Sequence, residues 1–320
     1  MRRAVIVLLA LGALSVTGCS QPGFQALGSE SAHPAGSVSA GPVNAQALAK
    51  SPKHYVGVAE TGTPPSFRPV TLFSNATKVR PNLVLYYSGW YEPFQTALAR
   101  TAYENGAALL VQINPRTVSL RNVAAGRYDA YLRSYADEVR SFGHLVVIGF
   151  AHEMNGGWYP WGVGHTSARV WVAAWRHVVT VFRSAGADNV AWLWTASHLY
   201  SNRYGSYWPG SKFVTWVGID GYLTGRDSSF ERAFGAALTA IRRLTRSPIL
   251  LSETGAGPLT HHQAADIASL FTGVKLYHLL GLVYYDIKQS GSSAHQDWRL
   301  EGHPALLKAF RLGARLLGVK

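Results

Sequence analysis

Leu145-Val146-Val147-Ile148-Gly149-Phe150 is a short apolar run that leads into His152-Glu153-Met154-Asn155-Gly156-Gly157-Trp158-Tyr159-Pro160-Trp161. Its β-branched residues are typical of a strand that is buried on both faces. The sequence therefore places Glu153 where a buried strand opens into a loop. A single acid at such a position is commonly a solvated loop residue. Here the adjacent imidazole, amide and aromatic rings favour a binding site instead.

Seven further apolar runs have the same character, and stretches with helical spacing separate most of them. The eight runs are Tyr55 to Ala59, Leu83 to Tyr87, Ala107 to Gln112, Leu145 to Phe150, Val190 to Trp194, Val214 to Ile219, Ile249 to Leu251, and Leu282 to Tyr285. Helical spacing is clearest over 128–142, 171–182, 230–241 and 267–274. Residues 197–211 show no helical period, so an irregular loop is predicted there.

This alternation of strands and crossovers predicts the fold class. It indicates an α/β domain with a parallel sheet, and eight is the number of strands that closes such a sheet into a (β/α)8 TIM barrel. An open doubly wound sheet is the alternative, but no Gly-rich phosphate-binding loop follows the first run. The roughly 265 residues of globular composition suit one catalytic domain over 53–320.

The N-terminal region has the features of an exported lipoprotein. Met1-Arg2-Arg3 precedes an apolar stretch, and Val16-Thr17-Gly18-Cys19 resembles the bacterial lipobox. We therefore predict a signal peptide over 1–18 and a lipidated Cys19, with plain secretion as the alternative. Cys19 is the only cysteine, so no disulfide forms within the chain. Residues 19–52, rich in Gly, Ser, Ala and Pro, are predicted to be a flexible tether to the outer face of the cytoplasmic membrane.

The charge distribution indicates which class of partner the protein could bind. The formal net charge is +13 at pH 7, but the arginines are scattered along helical stretches and no nucleic-acid-binding motif is present. An anionic membrane or cell wall accounts for the charge better than a nucleic acid does. His261-His262 has no Cys or acid at metal-ligand spacing and indicates the start of a helix. We expect no metal, no cofactor and a monomer.

The predicted barrel also locates the active site, because such sites lie at the carboxyl ends of the strands. The strand ends collect carboxyl, amide and aromatic side chains: Glu60, Ser88, Trp90, Gln112, Asn114, His152, Glu153, Trp194, Ser197, Asp220, Tyr222, Glu253, Tyr284 and Asp286. Aromatic rings stack on the apolar faces of sugars, and polar side chains satisfy sugar hydroxyls. The site is therefore predicted to bind a carbohydrate.

Glu153 and Glu253 suggest a specific reaction. Retaining hydrolysis of a glycosidic bond needs one protonated and one ionised carboxyl, about 5 to 5.5 Å apart. The fourth and seventh strands lie on opposite sides of an eight-stranded barrel, so side chains from both can approach each other across it. Two such carboxyls resist joint ionisation and titrate as a coupled pair. The alternative is that both are ordinary loop acids.

Two motifs carry a resemblance to a known family. His152-Glu153-Met154-Asn155-Gly156 with Trp158 resembles the acid/base motif of glycoside hydrolase family 26, and Ser252-Glu253-Thr254-Gly255 resembles its nucleophile strand. Asp220-Gly221-Tyr222 and Asp297-Trp298-Arg299 are also similar to the family, and the resemblance runs from about Tyr55 to the C-terminus. It implies a retaining barrel glycosidase of clan A.

The resemblance also implies roles for individual residues. Glu153 would be the acid/base, Glu253 the nucleophile, His152 a hydrogen-bond partner near the cleaved sugar, Trp158 a stacking wall, and Tyr222 the phenol that orients Glu253. Further predicted substrate-binding residues are Trp90, Asn155, Trp161, Trp194, Asp220 and Tyr284.

The family is best known for β-mannanases, so an endo-β-1,4-mannanase acting on a polysaccharide is expected. A mixed-linkage β-glucanase or a β-1,3-xylanase of the same family is the alternative. Tyr284 stands where the eighth strand of the family commonly presents Trp, which leaves open a hypothesis of another class, a non-catalytic glycan-binding lipoprotein.

Overall fold

A computed structural model describes residues 52–225, 229–257, 260, 262–289 and 296–320. Eight parallel strands pair in sequence order and close into a barrel. They are β1 Tyr55–Ala59, β2 Leu83–Gly89, β3 Ala108–Asn114, β4 Val146–Phe150, β5 Val190–Ser197, β6 Trp216–Leu223, β7 Ile249–Ala256 and β8 Gly281–Tyr285. The predicted (β/α)8 barrel is confirmed, and the open sheet is excluded.

Helices connect the strands and surround the barrel. They are α1 Arg68–Thr77, α2 Thr96–Glu104, α3 Leu120–Ala124, α4 Asp129–Phe142, α5 Ala168–Ser184, α6 Phe230–Leu244, α7 Gln263–Leu276 and α8 Pro304–Leu316. The four stretches of predicted helical spacing correspond to α4 to α7. Two 3-10 segments, Ser201–Tyr207 and Ser211–Phe213, occupy the crossover that was predicted to be irregular.

The strands are buried on both faces, which explains their continuous apolar runs. Leu85, Leu110 and Leu193 fill the interior of the barrel. Val84 and Leu109 alternate with them and pack outward against the helices. Each such aliphatic side chain, fully removed from water, contributes roughly 1.5 to 3 kcal/mol.

Both ends of the described chain meet at the amino-terminal end of the barrel. Nδ1 of His54, which leads into β1, lies 3.2 Å from the carbonyl oxygen of Leu317. The N–H of Arg80 donates to the carbonyl of Lys320 at 3.0 Å. We call the carboxyl ends of the strands, together with the loops that follow them, the mouth of the barrel. Residues 52–54 therefore enter on the side opposite the mouth.

The predicted signal peptide, Cys19 and nearly all of the predicted tether lie outside the described residues. Within the part of the chain that is described, none of the helices combines the length and the apolarity needed to cross a bilayer.

Candidate active site

Glu153 lies just past β4 and is held by an unusual backbone. It has a positive φ of 54°, Ala151 before it has a φ of 48°, and its own side chain is buried. The N–H of Glu153 donates to the carbonyl of Thr195 on β5 at 2.9 Å. A left-handed conformation costs a non-glycine residue about 1 to 3 kcal/mol, and active sites are among the places where such residues cluster. This backbone turns Glu153 toward the interior of the mouth.

Glu253 is placed by an irregularity in β7. The pairing register shifts between Ile219 and Asp220 of β6 and, on the β8 side, between Leu251 and Thr254 of β7. Such a bulge re-aims side chains. As a result, Ser252 and Glu253 both contact residues of the barrel interior although they are consecutive.

Two phenols hold the carboxylate of Glu253. The hydroxyl of Tyr222 on β6 donates to Oε1, and the hydroxyl of Tyr87 on β2 donates to Oε2. The contact predicted between Tyr222 and Glu253 is therefore present. Tyr87 was absent from the predicted site, although its alternation with Leu83 and Leu85 along β2 could have indicated an inward side chain.

The two glutamates differ in their surroundings. Burial, and then the charge of Glu253, raise the pKa of Glu153 to about 8. The hydrogen bond that Nε1 of Trp158 donates to Oε2 of Glu153 at 2.7 Å acts in the opposite direction and lowers this pKa. Burial also raises the pKa of Glu253, but its two phenol donors lower it. The carboxyls titrate as a coupled pair. With two donors against one, Glu253 is the better stabilised anion, and Glu153 keeps its proton at neutral pH.

His152 is a neutral, buried neighbour of these acids. Its Nε2 lies 3.2 Å from the hydroxyl oxygen of Tyr159. Burial, and then the charge of Arg116, lower the pKa of His152 to about 3. Nε1 of Trp161 donates to the carbonyl of His152 at 2.7 Å, and the Trp161 ring is only 1% exposed. Trp161 supports His152 from behind, and its contact with substrate stays a prediction.

Asn155 joins two loops of the mouth. Its Nδ2 donates to the carbonyls of Ser197 at 3.0 Å and Leu199 at 2.5 Å, and its Oδ1 accepts the N–H of Ser197 at 3.0 Å. Asn155 is fully buried. The amide therefore ties the loop after β4 to the loop after β5, and its contact with substrate stays a prediction.

Trp194 and Tyr284 occupy strand positions that face away from the barrel interior. Nε1 of Trp194 donates to the carbonyl of Tyr207 at 3.0 Å, and the hydroxyl of Tyr284 donates to the carbonyl of Trp298 at 2.9 Å. Both rings are completely buried, so the prediction that they bind substrate is wrong. A strand buried on both faces gives no hydrophobic signal of which residues point inward. The inward aromatic residue of β8 is Tyr285.

Trp90 and Asp220 lie at the mouth but are mostly covered. Trp90 is 7% exposed and packs against the rings of Tyr128 and Tyr131. Asp220 pairs in register with Glu253 and accepts a hydrogen bond from Oγ of Ser252 at 2.6 Å. Burial, and then the charges of Glu253 and Glu153, raise the pKa of Asp220 well above its usual value. The anionic form of Asp220 is therefore disfavoured by burial and by the two glutamates.

The described residues contain no group of three or more His, Cys, Asp or Glu side chains that could hold a metal ion. His262 directly precedes α7, and His261 lies outside the described residues.

Comparison with known proteins gives a consistent picture. The sequence model of glycosyl hydrolase family 26 matches residues 122–247. Endoglucanase H of Acetivibrio thermocellus is 26% identical over 79% of this chain and 29% of its own length. The β-1,3-xylanase TXYA of Vibrio sp. is 30% identical over 50% of this chain and 33% of its own length. The chain thus spans about a third of each of these relatives.

The fold has close solved counterparts. A double mutant of the endo-β-1,4-mannanase of Cellulomonas fimi superposes with a TM-score of 0.64 at 19% identity, covering 82% of this chain and 70% of the mannanase. This likeness concerns the barrel. The segment matched by the family model contains the Glu153 motif, so the chain is similar to glycosyl hydrolase family 26 over residues 122–247.

Proposed function

We propose that this protein hydrolyses β-linked polysaccharide with retention of configuration, using Glu253 as the nucleophile and Glu153 as the acid/base. The observation that carries the proposal is the unequal environment of two buried carboxyls in one mouth. Two phenols stabilise the charge of Glu253, whereas burial and the neighbouring charge keep Glu153 protonated. A double displacement needs this pair of protonation states before substrate is cleaved.

The geometry supports the following sequence of steps. The carboxylate of Glu253 attacks the anomeric carbon, and the proton of Glu153 passes to the glycosidic oxygen as its bond to that carbon breaks. Glu153, now ionised, takes a proton from water, and the water oxygen displaces Glu253 from the sugar. Tyr87 and Tyr222 fix the orientation of Glu253, and Trp158 fixes that of Glu153.

The substrate is proposed within the same class. The resemblance of the two glutamate motifs favours endo cleavage of β-1,4-mannan. A β-glucan is the second candidate, because the relative that covers 79% of this chain is named an endoglucanase. A β-1,3-xylan is the third, because the relative that is 30% identical is named a β-1,3-xylanase.

A panel of mannan, mixed-linkage β-glucan and β-1,3-xylan tests this proposal. Release of reducing ends identifies the polymer, and NMR of the first product formed shows the β anomer if configuration is retained. A rapid fall in viscosity before sugars accumulate identifies endo cleavage. Initial formation of the α anomer, or absence of cleavage on all three polymers, would overturn the proposal.

The non-catalytic alternative drew its only support from Tyr284. Because Tyr284 packs outside the barrel against Phe310, its identity does not alter the mouth. The catalytic proposal is therefore preferred. We also propose that the protein is exported and anchored to the outer face of the cytoplasmic membrane through Cys19, as the lipobox-like sequence suggests.

A further inference from the structure

Tyr200 is an exposed aromatic residue in a constrained conformation at the mouth. It follows β5, has φ 54° and ψ 41°, and is 39% exposed. Other non-glycine residues with positive φ at this end of the barrel are Ala151 and Glu153, next to the proposed chemistry, and Tyr91, after β2. A bulky residue is kept in this conformation only where its surroundings fix it.

The surroundings of Tyr200 fix it through Arg203 and Asn155. Cζ of Arg203 lies 4.3 Å from the centroid of the Tyr200 ring, a stacking distance for a guanidinium on an aromatic face. Nη1 of Arg203 donates to the carbonyl of Asn155 at 2.9 Å. The side chain of Asn155 in turn binds the carbonyl of Leu199, directly before Tyr200. The ring is therefore preorganised, with one face covered by the guanidinium.

The ring of Tyr200 lies next to Trp158, which contacts the proposed acid Glu153. Trp158 donates to Oε2 of Glu153 at 2.7 Å, and the rings of Trp158 and Tyr200 are 6.5 Å apart at 39°. The two rings thus form a continuous aromatic surface that begins at Glu153. Because Glu153 gives its proton to the leaving oxygen, sugar units next to it belong to the leaving group.

We propose that Tyr200, backed by Arg203, is a binding platform for a sugar unit of the leaving group, one position beyond the unit that contacts Trp158. The inference rests on the proposed function. The platform is expected to bind a β-linked pyranose unit of a polysaccharide, which stacks its apolar C–H face on the ring of Tyr200. A rigid ring loses little conformational entropy on binding, so the interaction needs no rearrangement of the loop.

The test compares the removal of two exposed tyrosines. Tyr200→Gly deletes the ring and is compatible with the positive φ, so the fold should keep its melting temperature. Tyr103→Ala is the matched control. Tyr103 lies on α2, is 52% exposed, and its ring stacks on that of His144 with centroids 3.7 Å apart. Tyr200→Trp restores a stacking ring. All variants are made in the full chain.

Two substrates separate the proposed role from a structural one. On the cleaved polysaccharide, Tyr200→Gly should lower kcat/KM about tenfold, while Tyr200→Trp and Tyr103→Ala should stay near wild type. On an aryl glycoside, which has no sugar in its leaving group, all variants should match wild type. An unchanged kcat/KM on polysaccharide, or an equal loss on both substrates, would overturn the platform.

Affinity electrophoresis keeps the inference separate from the proposed catalysis. In a Glu253→Gln background, polymer in the gel should retard the chain, and Tyr200→Gly should reduce the retardation whereas Tyr103→Ala should not. Retardation without cleavage by the wild type would reject the catalytic proposal and still test the platform. Retardation unaffected by Tyr200→Gly, or none on any polymer, would reject the platform.

Discussion

The hydroxyl of Tyr87 on β2 donates to Oε2 of Glu253 on β7, the carboxylate oxygen that Tyr222 leaves free. Both donors lower the pKa of Glu253 against the effect of burial. The ionised state of the proposed nucleophile is thus maintained from two directions, by residues on two different strands.

Removing either hydroxyl should impair the nucleophile without removing a ring. Tyr222→Phe and Tyr87→Phe should each lower kcat by about tenfold or more, with a nearly unchanged melting temperature. Since each donor lowers the pKa of Glu253, each substitution raises that pKa, and the acidic limb of kcat/KM should move to higher pH. The effects of the two substitutions should be non-additive, because both donors bind one carboxylate. An acidic limb at its original pH in both folded variants would contradict the assignment.

The roles of the two glutamates can be separated by the leaving group. Glu253→Ala should abolish turnover on every substrate, because no covalent intermediate can form. Glu153→Ala should keep measurable cleavage of aryl glycosides whose leaving group needs little protonation. Initial rates on an activated aryl glycoside and on the polymer provide the comparison. Equal losses on both by Glu153→Ala would argue against Glu153 as the acid.

Glu153 should also make stability depend on pH. Its pKa is raised from 4.5 to about 8 in the folded protein, so between these values the folded state binds more protons than the unfolded state. Stability contributed by this group therefore falls as pH rises from about 4.5 to 8. Glu153→Gln removes the titration, so its melting temperature should exceed that of wild type by more at pH 8 than at pH 5. The same difference at both pH values would show that Glu153 titrates normally.

Trp158 should set the alkaline limit of activity. The hydrogen bond from Nε1 of Trp158 lowers the pKa of Glu153. Trp158→Phe keeps a ring but loses this donor, so the pKa of Glu153 should rise and the alkaline limb of kcat/KM should move to higher pH. The maximal rate should fall several-fold, since the acid is less well oriented. A shift to lower pH would mean that the donor acts on another group.

The anchoring proposal is tested at Cys19. Cys19→Ala should prevent lipidation and leave uncleaved or soluble protein, because the sequence has no other cysteine. Metabolic labelling with a fatty acid, followed by membrane fractionation, measures the outcome. Continued incorporation of label would refute the lipobox interpretation.

The sequence predicted the fold well because strand and helix periods differ along the chain. It placed the ends of β5, β6 and β7 too early, since polar residues at the mouth, such as Ser197, Asp220 and Glu253, interrupt the apolar runs. Hydrogen bonds replace apolar packing there: Asp220 accepts from Ser252, and Glu253 accepts from Tyr222 and Tyr87.

Side-chain direction was the weaker part of the prediction. With both faces of a strand buried, an apolar run does not distinguish Trp194 from its inward neighbours, or Tyr284 from Tyr285. The bulge in β7 could not be anticipated either, because it changes the alternation locally. The glutamate motifs were found because their residue types are unusual at strand ends. Tyr87 was missed because a tyrosine in an apolar run also suits the core.

The hydrogen bond between His54 and Leu317 has a consequence for how the protein can be displayed. A bead, resin or carrier domain joined to the chain before residue 52 would meet the barrel at its base, since that is where residues 52–54 enter. The opposite end would then point outward, and a long polymer strand could lie across it without passing the attachment point.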